Sequence, residues 1–283
     1  MYDTIRKIRS HALIREPRFS VGVLVLCVFI LAAALAPAVA PHDPMRTNYA
    51  HRFEKPTWTY PLGTDEYGRD VLSRLIYGSR ISLFVSSCSL LLAITGGIFL
   101  GMVGAFAGRA LENLTMRLVD VLLCIPPIFM AIAIVAFTGG SLFNLIIIMG
   151  LLYMPQFARL AYTSCLSVKE NEYVEAARAI GCTPLRIIRK YVLPNILSPI
   201  IVQASFSLGA LILLESGLSF LGLGVMPPTP SWGVMLGTAK SYLYINGLLI
   251  LWPAMAIAVV VLTINILGDG VRDALDPRAR KTG

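Results

Sequence analysis

The sequence has few charged residues. Asp, Glu, Lys and Arg make up 14% of its 283 residues, whereas hydrophobic residues make up 56% and the mean hydropathy is +0.73. Soluble domains carry about a quarter charged residues, so this composition excludes an ordinary soluble protein. It predicts an integral membrane protein built from long apolar helices.

Histidine is scarce, and cysteine is scattered. The three histidines lie outside the long apolar runs, and no HExxH motif is present. The five cysteines show no metal-ligand spacing and lie at positions 27, 88, 124, 165 and 182. A Walker A motif is also missing. We therefore expect no metal or catalytic site, no disulfide framework and no ATP hydrolysis by this chain.

Six apolar runs are long enough to cross a bilayer, which takes about 20 helical residues. They cover approximately residues 20–40, 81–107, 114–137, 141–163, 197–221 and 248–268. The first run is too long for a signal-peptide core, so we expect it to remain as a span. The predicted fold class is all-α, with six transmembrane helices.

The positions of Lys and Arg predict the orientation. Most of the 24 basic residues lie in the two tails, in the connection after the second run and in the polar stretch after the fourth. Basic residues favour the cytoplasmic side, which makes both tails, 1–19 and 269–283, cytoplasmic. The transmembrane domain is then 20–268, with an external segment at 41–80 and a cytoplasmic loop at 164–196. The net charge of +8 follows from this topology and indicates no nucleic-acid partner.

A polar stretch within the cytoplasmic loop, EYVEAARAIGCTPLRIIRKYVLP at residues 172–194, has helical patterning. One face of a first short helix carries Tyr173, Ala176, Ala177 and Ile180. Gly181 follows, and glycine adopts the left-handed conformation that ends many helices. We expect Thr183 to cap a second short helix and Pro184 to begin it. The apolar stripe of that second helix would be Leu185, Ile188 and Val192. Residues 172–194 are called the elbow from here on.

The spacing of six elbow residues resembles the EAA loop of permease subunits of binding-protein-dependent ABC importers. These residues are Glu175, Ala176, Ala177, Gly181, Leu193 and Pro194. Tyr191 stands where the family often has Ile. In that family the loop sits in a cleft of a separate ATPase subunit and transmits its closure to the spans. The resemblance therefore implies that the six residues couple this chain to ATPase partners. ATP and Mg²⁺ would be used by those partners, and this chain would bind no cofactor.

Two further segments resemble one subclass of this family, the second permease chain of dipeptide, oligopeptide and nickel importers. The first is GTDEYGRDVLSRLIYGSRISL, which begins at Gly63, and the second is ESGLSFLGLG followed by PPTPSWGVML, which begins at Glu215. In the first segment, apolar residues recur at helical spacing from Val71, with Arg69, Ser73, Arg74 and Arg80 off the apolar stripe. An amphipathic helix lying on the membrane surface would give the same pattern.

The resemblance implies the following assembly. The chain would form half of a transmembrane pathway with a homologous second permease, together with two ATPase subunits and an external substrate-binding protein. The complex would lie in the lipid of a bacterial inner membrane and import di- or oligopeptides, or alternatively a nickel chelate or another small solute. A secondary transporter is the rival interpretation, but it would need coupling charges near mid-membrane. The only acids in the spans are Asp120 and Glu215, and neither of them is central.

These two acids have different predicted roles. Asp120 lies near the cytoplasmic end of the third span, within reach of Arg117 or Arg159, and an ion pair is expected. Glu215 lies near the outer end of the fifth span. A charged group deep in a bilayer costs roughly 2.5–3.5 kcal/mol or more, so Glu215 should face protein or a cavity. Glu215, Gln203 and Ser207 are the candidates for a substrate pathway, where the carboxylate would meet a substrate ammonium group.

Glycine and proline positions predict how the spans pack and bend. Gly97 and Gly101 are four residues apart in the second span, a spacing that lets helix backbones approach closely. Pro126, Pro127 and Pro155 should kink or break the third and fourth spans.

Cysteine labelling tests the topology. Cys182 lies in the predicted cytoplasmic loop and no cysteine lies in a predicted external loop. An impermeant thiol reagent should label the protein weakly in intact cells and label Cys182 in inside-out vesicles, as measured by mass spectrometry against a Cys182→Ser control. Strong labelling of Cys182 in intact cells would reverse the predicted orientation.

Overall fold

The computed structural model describes residues 17–275, and every regular element in that range is helical. Residues 1–16 and 276–283, which make up most of the two predicted tails, lie outside the described residues. The α-helices are α1 (Pro17–Ala34), α2 (Ala36–Val39), α3 (Val71–Phe106), α4 (Arg109–Leu123), α5 (Pro127–Thr138), α6 (Leu142–Lys169), α7 (Glu172–Ala179), α8 (Pro184–Ile187), α9 (Leu193–Phe220), α10 (Trp232–Ala239) and α11 (Leu248–Leu275). Short 3₁₀ turns cover Tyr49–His51 and Lys240–Tyr242, and a π-helical turn covers Ile188–Val192.

The helices confirm the predicted all-α membrane fold. Within the described range, five helical segments are long and apolar enough to cross a bilayer, and there are six if α4 and α5, which meet at an angle of 94°, are counted as one span. The break confirms the prediction for Pro126 and Pro127. Pro126 has ψ 129° because a residue that precedes proline is sterically excluded from the helical conformation. Pro155, by contrast, lies buried inside the continuous helix α6.

Helices α3 and α6 form the centre of the bundle, and glycines bring them together. A Cβ added at Gly97 would lie 2.4 Å from the Phe157 Cβ, and one at Gly101 would lie 2.6 Å from the Ala158 carbonyl oxygen. Both distances are shorter than van der Waals contact. The helix-packing interpretation of these glycines is confirmed.

The segment between α2 and α3 is organised by buried charges. The Arg69 guanidinium donates to Asp65 Oδ2 at 2.6 Å and to Glu66 Oε1 at 2.9 Å. Arg74 Nη1 donates to the Pro44 carbonyl at 3.1 Å, and its Nε lies 3.4 Å from Asp65 Oδ2. Burial, together with the neighbouring Asp65 carboxylate, raises the pKa of Glu66.

This network corrects one prediction. A helix does begin at Val71, but it is the first part of the 36-residue helix α3 and not a separate amphipathic segment with an exposed polar face, since Ser73 and Arg74 are both buried. The side chain of Asp70 accepts from the Ser73 N–H and caps α3. The polar residues off the apolar stripe thus face the folded segment that precedes the helix, and only Arg80 remains exposed.

The close approach of α3 and α6 gives a stability prediction. Gly101→Ala should lower the thermal midpoint of the purified protein because overpacking costs about 1–3 kcal/mol. Gly217 is a matched control, since it is also helical but has no atom within 4 Å of its added Cβ. Gly217→Ala should leave the midpoint unchanged or raise it. A Gly101→Ala protein as stable as the parent would contradict the packing.

Candidate functional site

The first half of the elbow ends as the sequence predicts. Helix α7 stops at Ala179, and Gly181 has φ +81°, in the left-handed region. The Cys182 N–H donates to the Ala177 carbonyl at 3.0 Å, and the Gly181 N–H donates to the Arg178 carbonyl at 2.9 Å. These bonds form a glycine C-cap of the Schellman type. No atom lies within 4 Å of an added Cβ at Gly181, so backbone conformation, rather than space, selects glycine there.

Helix α7 packs through a face next to the predicted stripe, which shares only Ala177 with it. Val174 and Ala177 are buried in the same cluster as Ile187 and Val192. Tyr173 and Ile180 are exposed. Of the predicted apolar face, only Ala177 therefore points inward, and the rest is left uncovered.

The second half of the elbow differs from the prediction of a separate short helix. Helix α8 runs through the π turn directly into α9, so that one helical segment extends from Pro184 to Phe220. Pro184 occupies the first turn of α8 as predicted, but the Thr183 hydroxyl makes no capping hydrogen bond. Leu185 is 74% exposed, and Ile187 is buried in its place. The periodicity was misjudged because the π turn shifts the helical phase.

Pro194 accounts for the π turn. Proline has no N–H, and its ring clashes with the carbonyl four residues earlier in a regular α-helix. The preceding residue, Leu193, donates its N–H to the Ile188 carbonyl, five residues back. The Asn195 side chain donates to the Tyr191 carbonyl at 2.6 Å and supplies part of the bonding that the widened turn disturbs.

The uncovered elbow surface combines apolar and basic groups. Tyr173, Ile180 and Leu185 are exposed hydrophobic side chains. Beside them a shallow cleft of about 450 Å³ is lined by Thr183, Leu185, Arg186, Arg189 and Lys190. Glu172 and Glu175 are also exposed, on α7. Large exposed apolar groups rimmed by charges are typical of protein interaction surfaces.

One contact at the elbow's base escaped the sequence reasoning. The Lys169 ammonium, at the end of α6, donates to the Ala105 carbonyl at 2.6 Å and lies 4.9 Å from the centre of the Phe106 ring. It thereby caps the C-terminus of α3, where a cation is favoured by the helix dipole. Lys169 lies beyond the predicted end of the fourth span at residue 163, and it reaches α3 because α6 continues to Lys169.

Glu215 is fully buried near the outer end of α9. Its Oε2 accepts from the Ser82 hydroxyl at 2.8 Å, and its Oε1 accepts from the Ser219 hydroxyl at 2.8 Å. Ser207 is buried too and accepts from Gln203 at 3.2 Å. These candidates for a substrate pathway thus make bonds within their own chain, and their contact with substrate stays a prediction.

Two findings concern the remaining ionisable groups. Asp120 forms the predicted ion pair with Arg159 of α6. Among residues 17–275, no three His, Cys, Asp or Glu side chains come close enough together to hold a metal ion.

The fold and the elbow define a class of protein, a helical membrane protein of several spans with an exposed elbow between two of them. The family described as "Binding-protein-dependent transport system inner membrane component" matches residues 93–281. The chain belongs to this family, whose members are non-catalytic permease subunits of transport complexes with ATPase and binding-protein partners. The description "N-terminal TM domain of oligopeptide transport permease C" matches residues 10–56.

Relatives match over nearly the whole chain. The di/tripeptide transport system permease protein DppC of Pseudomonas aeruginosa is 40% identical, over 92% of this chain and 88% of its own length. The dipeptide transport system permease protein DppC of Alkalihalophilus pseudofirmus is 40% identical, over 92% and 86%. The glutathione transport system permease protein GsiD of Pectobacterium atrosepticum is 36% identical, over 97% and 90%.

A solved structure supports the fold. An inward-facing form of the MetNI methionine ABC transporter includes a chain that superposes with a TM-score of 0.60. The match covers 72% of this chain and 96% of that chain at 22% sequence identity. The two chains therefore share a fold.

The glycine turn gives a prediction for the elbow. Gly181→Leu should lower binding-protein-stimulated ATP hydrolysis by the assembled transporter at least tenfold, because a side chain at φ +81° moves the exposed face of α7. Gly139 is a control, with φ +76°, ψ 158° and no atom within 4 Å of an added Cβ. Leucine at Gly139 should bear at least as much backbone strain as leucine at Gly181, roughly 1–3 kcal/mol, because this conformation is essentially restricted to glycine, yet Gly139→Leu should retain hydrolysis. Equal losses in the two variants would remove the special role of the elbow.

Proposed function

We propose that this chain is one of two homologous permease subunits of an ATP-driven importer of short peptides in a bacterial inner membrane. Its partners are the second permease, two ATPase subunits that use ATP and Mg²⁺, and an external binding protein that delivers the cargo. The chain itself binds no cofactor and contributes half of the pathway.

The peptide assignment rests on one observation. Relatives named for dipeptide and di/tripeptide transport are 40% identical over 92% of the chain. That match extends beyond the elbow, which all members of the family need, to the external segment and the outer loops. These are the parts that would meet the delivered cargo and the protein that carries it.

Coupling to the ATPases is supported by the continuity of the elbow with the fifth span. The segment Pro184–Phe220 has 37 residues and no intervening loop. At 1.5 Å per residue it is about 55 Å long, more than the roughly 30 Å of hydrocarbon in a bilayer. A force applied to Leu185 or Arg186 therefore acts on a rod that reaches the opposite side of the membrane. Lys169 supplies a second connection, from the elbow's base to α3.

The side of the bundle that α1 forms fits a membrane environment. Helix α1 exposes Leu24, Val28 and Leu31, each more than half accessible. Apolar side chains in that arrangement contact lipid acyl chains. The transport cycle is alternating access, in which closure of the ATPases shifts the elbows and the bundle exchanges an inward for an outward opening.

Uptake by a deletion strain tests the cargo. Cells that lack the chain should lose uptake of labelled di- and tripeptides, and complementation with the intact gene should restore it. The control is the Gly181→Leu variant, which should reach the membrane in normal amount without restoring uptake. Complementation that restores nickel accumulation but no peptide uptake would overturn the peptide assignment and favour a nickel chelate.

A further inference from the structure

Glu215 holds an unusual position in α9, which is called the long helix from here on. It is the single ionisable residue between Leu193 and Phe220, and no part of it is exposed. Both carboxylate oxygens are occupied, one by Ser82 of α3 and the other by Ser219 of its own helix. The Ser216 hydroxyl lies 3.4 Å from Oε2 as well. A carboxylate buried in an apolar bundle is stable only with such partners.

Ser82 also joins a third element, α10, to the Glu215 carboxylate. Ser82 Oγ donates to Glu215 and lies 3.4 Å from the Trp232 backbone N–H, which donates to it. Trp232 begins α10, which is called the outer wedge from here on. The Trp232 side chain is fully buried, and its Nε1–H donates to the Leu75 carbonyl of α3 at 3.1 Å. The carboxylate therefore stands where α3, α9 and the outer wedge meet.

Glycines hold these three elements at backbone contact. A Cβ added at Gly233 would lie 2.5 Å from the Ser216 carbonyl oxygen, and one at Gly237 would lie 2.9 Å from that of Phe220. On α3, a Cβ at Gly78 would lie 3.3 Å from the Ser231 carbonyl carbon. Moving one element away from the others would strip hydroxyl donors from a buried carboxylate and open this packing. The three elements therefore move together.

We propose that Glu215 is the positioning residue that fastens the outer end of the long helix to α3 and to the outer wedge. Displacement of the elbow then reaches the outer face as the movement of one rigid unit, and Glu215 does not touch the cargo. This inference rests on the proposed function, because the ATPases supply the displacement. It assigns to a buried carboxylate the task of transmitting motion, where a substrate contact was the sequence-based expectation.

The test uses the complete reconstituted transporter, with uptake and ATP hydrolysis measured together. Glu215→Gln and Ser82→Ala should each lower the number of peptides moved per ATP about tenfold, with the KM for the loaded binding protein unchanged. Their combination should lose little more than either alone, because both remove one connection. Glu215→Asp should retain part of the parental number of peptides moved per ATP. Ser89→Ala is the matched control, since Ser89 is another buried serine of α3 whose hydroxyl bonds to the Ile146 carbonyl instead.

Two further measurements separate this role from cargo binding and from general instability. The rate ratio for free against N-acetylated dipeptides should stay at the parental value in Glu215→Gln, because the carboxylate meets no peptide ammonium. Amide hydrogen exchange in residues 232–239 should rise about tenfold in Glu215→Gln and Ser82→Ala, while exchange in the elbow should not change. Exchange is read without any cargo, so it judges the inference even if the parent protein imports no peptide. A changed rate ratio, or parental coupling in both variants, would overturn the proposal.

Discussion

Hydrogen-bonding groups within a lipid bilayer have no water to bond to, and this constraint explains how several polar residues of the spans are paired. Thr95, Thr115 and Thr263 return their hydroxyl protons to carbonyls of their own helices. Lys169 bonds a carbonyl at the end of a neighbouring helix. Glu215 requires serines from two helices. The more demanding the polar group, the more elements it draws together.

Proline has three outcomes in this chain, and each follows from how its missing N–H is accommodated. Pro126 and Pro127 are adjacent, so the first is excluded from the helix and the span breaks by 94°. Pro194 is absorbed by a turn that widens to five residues between bonded groups. Pro155 stays in a continuous helix, buried against the rest of the bundle. Proline thus produces a sharp bend at one site, a π turn at a second and a buried position in a continuous helix at a third.

Local patterns predicted the local features of the structure. Helical spans, the left-handed Gly181 and the close approach at Gly97 and Gly101 all depend on neighbouring residues or on one helix face, and the structure confirms them. Apart from the Asp120–Arg159 ion pair, features that depend on distant residues were missed. The burial of Arg74 requires Asp65 and Pro44 to fold back onto α3. The partner of Glu215 lies 133 positions away, so no window of sequence contains both. The direction of the α8 face was missed for a different reason, since the π turn before Pro194 altered the periodicity on which that face was counted.

The π turn also makes the angular position of the elbow depend on chain length. One residue corresponds to about 100° of rotation around an α-helix. The turn at Ile188–Val192 accommodates an additional residue. Leu185 therefore points in a different direction around the helix axis from the one that an uninterrupted α-helix would give it. Adding or removing one residue between Leu185 and Pro194 would turn that face by about 100° relative to α9. The number of residues in this short stretch therefore fixes the direction of the face as firmly as their identity does.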